Sequence, residues 1–144
     1  MADLVDTNVW LALVLEGHPR HNSATTHFRK ARHGDFCFCS QTMISLARLL
    51  STPAIMQAYG AQALSNIEIL GILREYSRDK KVGIAVEPEN TMHYWRNFSG
   101  STSSSPKLWM DAYLAGFAVA GGMRLVTLDK GFAQFPSLDC IILE

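Results

Sequence analysis

Short apolar runs that stop at turn or capping residues alternate with longer helical stretches along almost the whole chain. The runs Ala2 to Val5, Phe36 to Cys39, Val82 to Val86, Leu125 to Leu128 and Cys140 to Leu143 have the length and content of strands. Helical periodicity covers a segment from Val9, then Asn22 to Arg32, Gln41 to Leu50, Ala61 to Arg78, Asn90 to Phe98 and Lys107 to Ala120. Ala24, Phe28 and Ala31 mark the buried stripe of the second helix. Leu64, Ile67, Leu70, Leu73 and Tyr76 are expected to form one apolar face in the stretch that ends at Arg78. Strands alternating with helices predict an α/β fold with a mostly parallel central sheet flanked by helices on both faces.

With 144 residues, the length suits one domain spanning 1–144. Hydrophobic residues make up 48%, enough for a core, and charged residues only 18%, too few for long disordered tails. Lys plus Arg equals Asp plus Glu at 13 each, which excludes an indiscriminate nucleic-acid binder resting on excess positive charge. RNA as a substrate remains open to such a chain, because a local patch or a bound metal can supply the charge. The apolar run Val9 to Leu15 falls well short of the roughly 20 residues that span a bilayer, so no membrane role is expected. Three cysteines without ligand or framework spacing are expected to be buried thiols, which points to the cytoplasm. The serine-rich segment Ser99 to Pro106 reads as a loop.

Three aspartates stand out. Asp6 and Asp129 each follow an apolar strand, the position where open parallel sheets collect functional groups. Asp111 lies in Leu108-Trp-Met-Asp-Ala-Tyr-Leu-Ala-Gly-Phe-Ala-Val-Ala120, a helix with almost no other polar side chain. Each has a plainer reading: Asp6 as a helix cap, Asp129 as a turn residue, Asp111 as a charge favoured at a helix N-terminus. Only Lys107, four residues earlier, is a local partner for Asp111. Gathered in one crevice, three carboxylates would raise each other's pKa or recruit a divalent cation. Oxygen-only ligands suit Mg²⁺ or Mn²⁺, and such an ion supports hydrolysis of a phosphodiester by an activated water.

Leu4-Val-Asp-Thr-Asn-Val9 resembles the opening motif of PIN domains. Met110-Asp-Ala-Tyr-Leu-Ala-Gly-Phe-Ala118 resembles their third-acid helix, and Val126-Thr-Leu-Asp-Lys-Gly-Phe132 their last-acid motif. His18-Pro-Arg-His21 and Arg48-Leu-Leu-Ser-Thr-Pro53 are similar to segments of the VapC toxin branch. The resemblance implies a PIN-like three-layer fold and a Mg²⁺- or Mn²⁺-dependent endoribonuclease, the toxin of a toxin–antitoxin pair. It also implies a VapB-like antitoxin partner, a homodimer, and transfer or ribosomal RNA as substrate. By motif position, Asp6, Asp111 and Asp129 carry over as the catalytic, metal-binding acids, with Asn8 and Thr127 as polar residues beside them. Arg48 could contact RNA or pair with an acid; a surface arginine is the plainer reading.

One departure stands against this likeness. PIN domains usually carry a second acid on the helix that here spans Gln41 to Leu50, where this chain has apolar Met43 or Leu46. No Asp or Glu occurs between Asp35 and Glu68. Glu16 and Glu87 are conceivable substitutes, though surface carboxylates are the plainer reading for both. The missing acid motivates an alternative, a non-catalytic PIN-like module that binds RNA or protein. A receiver-type signalling domain is disfavoured, because the strand Phe36 to Cys39 ends in Ser40 and not in an acid. Trp10, Trp95 and Trp109 are expected to serve packing before base stacking.

Overall fold

A computed structural model describes residues 1–144. Five strands, β1 (Asp3–Val5), β2 (Phe36–Phe38), β3 (Val82–Ile84), β4 (Arg124–Thr127) and β5 (Cys140–Ile142), form one sheet in the order β3-β2-β1-β4-β5. Every neighbouring pair is parallel, so the sheet is wholly rather than mostly parallel. The chain builds outward from β1 to β3, then returns to place β4 on the other side of β1. The strand order therefore reverses between β1 and β4, where such sheets open a crevice at their C-terminal edge.

The helices are α1 (Thr7–Val14), α2 (His21–Lys30), α3 (Ser40–Leu50), α4 (Pro53–Ala58), α5 (Asn66–Arg78), α6 (Thr91–Ser99) and α7 (Leu108–Ala120), with a short 3-10 helix at Lys130–Gln134. Successive strand residues face opposite sides of a sheet, and the two cores follow that alternation. Val5, Phe36, Phe38 and Val126 pack with α1, α3 and α5 on one face, while Leu4, Cys39 and Leu125 pack with α7 on the other. Trp10 anchors the first core, stacked on Phe38 at 3.5 Å and edge-on to Phe36 at 4.7 Å between ring centroids. The three cysteines are unpaired thiols. No helix is long and apolar enough to cross a membrane.

Two sequence expectations need correction, and one short helix is new. Pro53 starts α4 after only two residues beyond the end of α3, since proline's fixed φ and missing N–H are tolerated in a first helical turn. The helix expected from Ala61 begins at Asn66, where Ser65 and Glu68 cap each other's backbone N–H groups. With that start, Ile69 and Leu73 are the helix's buried positions, whereas Ile67 and Leu70 are exposed.

At the N-terminal edge of the sheet, Asp3 is 5% exposed and fully paired. Arg124 donates to both of its oxygens, at 2.8 and 3.1 Å, and the His27 ring meets it at 2.9 Å. This cluster joins β1, β4 and α2. Burial alone would raise the Asp3 carboxyl, but the hydrogen bonds and charges of His27 and Arg124 outweigh it and hold its pKa below the ordinary value. A lowered folded-state pKa stabilises above the carboxyl's ordinary pKa, and the gain is lost as pH falls through the folded value. Arg124→Met is expected to cost about 2–3 kcal/mol at neutral pH, below the ~3–5 kcal/mol of a fully buried pair. The discount reflects Arg124 keeping 34% of its side chain exposed. Urea unfolding at neutral pH and near pH 3 checks this: the deficit should shrink in acid, and an equal deficit at both would show that lost packing dominates.

Candidate active site

Asp6 is the residue at which the central strand ends. Its N–H donates to Val126 O at 2.9 Å, which continues the β1–β4 pairing one step past the strand, and its carboxylate caps α1 by accepting from Thr7 N–H at 2.7 Å. The other oxygen accepts from the Thr127 hydroxyl at 2.7 Å. Thr127 Oγ1 in turn accepts from Asp129 N–H at 3.0 Å and from Asn8 Nδ2 at 3.4 Å, and Asn8 Oδ1 accepts from Leu128 N–H at 3.2 Å. Asn8 and Thr127 thus stitch together the ends of β1 and β4 around Asp6.

Asp129 follows β4 and caps the 3-10 helix through Gly131 N–H at 2.8 Å. Asp111 sits in the first turn of α7, whose next turns bury Ala112, Leu114, Ala115 and Phe117 against the sheet. Lys107 connects the two acids. Its ammonium donates to Asp129 Oδ2 at 2.5 Å and lies 4.0 Å from Asp111 Oδ2. Lys107, Asp111, Gly131, Gln134 and serines of the loop before α7 line a cavity of about 290 Å³.

The charges act on one another. Burial pushes Asp6 up to about 6, against the pull of its hydrogen bonds from Thr127 and Thr7, and the negative charges of Asp111 and Asp129 push it further. Asp111 is also raised, first by burial; Lys107 opposes the rise and Asp129 adds to it. Asp129 is held below its ordinary value by the hydrogen bonds from Lys107 and from Gly131 N–H. The three aspartates singled out in the sequence therefore share one electrostatic site.

The fit to a divalent cation is one of donor chemistry. The ligands on offer are carboxylate oxygens, which suit a hard ion such as Mg²⁺ or Mn²⁺. As the side chains stand, no three acidic, histidine or cysteine groups converge tightly enough to form a closed cage. The ammonium of Lys107 lies between two of the acids instead.

Other residues singled out in the sequence fall elsewhere. Arg48 is exposed on α3 and pairs with none of the acids. Leu46 is fully buried and Met43 packs partly buried against the first core, so α3 offers no carboxylate. Glu16 is exposed on the turn after α1, and Glu87 accepts a hydrogen bond from the Tyr113 hydroxyl at 2.6 Å. Neither is among the charges that shift Asp6 or Asp111. Trp10 is core, as expected, but Trp109 is 53% exposed, with its backbone carbonyl accepting from Trp95 Nε1 at 2.9 Å. Sequence reasoning missed Lys107 as a partner of Asp129, a contact across 22 residues, although its i, i+4 spacing to Asp111 was visible. It also missed Gln41 in the first turn of α3, whose Oε1 is buried without a hydrogen-bond partner.

Comparison with known proteins agrees with this geometry. The family model of the PIN domain matches residues 4–138. Ribonuclease VapC41 of Mycobacterium tuberculosis is 39% identical over 142 residues, covering 97% of each chain, in both the CDC 1551 / Oshkosh and the ATCC 25618 / H37Rv strain. Among solved structures, the fold is similar to DNA-bound VapBC from Salmonella typhimurium, with a TM-score of 0.67, 14% identity, and 99% of this chain and 98% of that one covered. It is also similar to Mycobacterium tuberculosis VapC20, described as a sarcin–ricin loop cleaving toxin, with a TM-score of 0.63, 16% identity, and 96% and 99% covered. The chain belongs to the PIN domain family, in its VapC ribonuclease branch.

Proposed function

We propose that the protein is the toxin endoribonuclease of a VapBC-type pair and hydrolyses RNA with a Mg²⁺ or Mn²⁺ ion held by Asp6, Asp111 and Asp129. The observation that carries this reading is Asp6: a carboxylate only 8% exposed, bonded to no cation, in the field of two further acids at the strand-order reversal. A cap or turn residue has no need of that arrangement, whereas a cation-binding group does. The chemistry such an ion supplies is Lewis acidity, which eases deprotonation of water and offsets charge developing on the phosphate.

The chain's own residues fix the geometry for that chemistry. Thr127 donates to Asp6 and so holds one carboxylate oxygen in place, and Asn8 and Asp129 N–H hold Thr127. Side chains locked by such neighbours keep a site within the narrow tolerance that catalysis requires. A VapB-like antitoxin as partner is supported by the VapBC complexes among the similar folds. A structured transfer or ribosomal RNA as substrate, a homodimer and a cytoplasmic location belong to the same reading. Met43 or Leu46 in the place of the usual second acid favours the rival reading of a non-catalytic binding module.

Two outcomes are expected. Asp111→Asn removes a ligand charge but keeps the shape, so it should lower Mn²⁺-dependent cleavage of total bacterial RNA by more than about tenfold while thermal unfolding of the metal-free protein changes little. No cleavage by the unaltered protein with Mn²⁺ or Mg²⁺, beside no metal binding, would favour the non-catalytic module. The second outcome concerns pH. A raised folded-state pKa at Asp6 means that the folded protein keeps a proton up to about pH 6, and a divalent ion must displace it. Mn²⁺ should therefore raise the melting temperature most at about pH 8, with the shift shrinking as pH falls through about 6. A shift of constant size across that range would detach Asp6 from metal binding.

A further inference from the structure

Lys107 is the only basic side chain within ion-pair distance of Asp6, Asp111 or Asp129. It stands just before α7 with 72% of its side chain exposed, where an isolated ion pair would contribute little. Yet its ammonium meets two acids from different elements: Asp129 Oδ2 at 2.5 Å, from the end of β4, and Asp111 Oδ2 at 4.0 Å, one turn along its own helix. Lys130 makes the contrast. It adjoins Asp129 in sequence and forms no ion pair at all.

The pairing divides the cluster. Lys107 serves the two outer acids, and the buried Asp6 is left with hydrogen bonds alone. An ion drawing on the outer pair would compete for the oxygens that the ammonium now holds. The lysine stem is long and flexible, and the cavity beside it is lined by polar groups, Gln134 and Ser105 among them, so the ammonium has somewhere to go.

Resting on the nuclease reading above, we propose that Lys107 is a tethered counter-ion of the carboxylate cluster, displaced by the divalent metal and then paired with a phosphate of the RNA. Until metal arrives, Lys107 holds Asp111 and Asp129 together against their mutual repulsion. After displacement it stands at the mouth of the site as a mobile cation. The same side chain thereby weakens metal binding and strengthens RNA binding.

The test is calorimetric titration of Mn²⁺ into the metal-free protein at low salt, for the unaltered chain, Lys107→Gln and Lys130→Gln, with kcat and KM for RNA cleavage measured in parallel. Lys107→Gln should bind Mn²⁺ about three- to tenfold more tightly, the effect of one nearby charge at a surface site, while its KM for RNA rises. Lys130→Gln should stay within about twofold of the unaltered chain for Mn²⁺. Equal Mn²⁺ affinity in Lys107→Gln and the unaltered protein would overturn the inference and leave the nuclease reading standing. Equal tightening in both variants would also overturn it, because general surface charge would then suffice. Tighter Mn²⁺ binding with an unchanged KM would remove the phosphate-pairing half. No Mn²⁺ binding by any of the three proteins would overturn the inference together with the metal mechanism beneath it.

Discussion

Two aspartates, three residues apart at the start of the central strand and just past its end, meet opposite electrostatic fates, and the architecture of the site depends on that contrast. Asp3, at the N-terminal edge, receives a two-pronged Arg124 and a histidine, and its pKa falls. Asp6, at the C-terminal edge, receives a backbone N–H and a hydroxyl, and its pKa rises to about 6. Both are less than a tenth exposed. The chain thus neutralises one buried carboxylate fully and leaves the other without a cation, the contrast on which the proposed metal-binding role of Asp6 rests.

The sheet makes this division possible. Parallel strands put all their C-terminal ends on one edge, and the reversal of strand order at β1 opens a crevice there. The hydroxyl of Thr127 ties the two strand ends together, so the spacing of Asp6 from Asp129 is set by the β1–β4 register, with Val5 opposite Val126. Asp111 comes from a helix almost wholly committed to packing, and that packing fixes where its first turn lies. Loss of the β1–β4 register would shift two of the three acids at once.

Much of this was legible along the chain. Asp6 and Asp129 announced themselves by following apolar runs, and Asp111 by being nearly alone among apolar neighbours. Parallel topology followed from the alternation of strand and helix. The features that escaped sequence reading depend on contacts made across the fold. Arg124 meets Asp3 across 121 residues, and Lys107 meets Asp129 across 22. No periodicity encodes such pairs. The buried face of α5 was read only in part: Leu73 and Tyr76 were expected to face the core and do, but Ile69 takes the place given to Ile67 and Leu70. The helix starts later than expected, at the capping box of Ser65 and Glu68.

The apolar Met43 or Leu46 on α3 and the ammonium of Lys107 bear on one charge balance. An acid on α3 would add a fourth negative charge to a set in which Asp6 is already pushed up by two neighbours. The position is instead held by an apolar side chain packed against the core. The remaining three carboxylates, with the ammonium of Lys107 beside two of them, leave two negative charges before any ion binds. On the proposed reading, a divalent ion that displaces Lys107 leaves one negative charge on the cluster and frees the ammonium for a phosphate. The departure from the family's usual set of acids leaves intact the buried carboxylate of Asp6, with its hydrogen bonds from Thr7 and Thr127 and the two acids whose charges reach it.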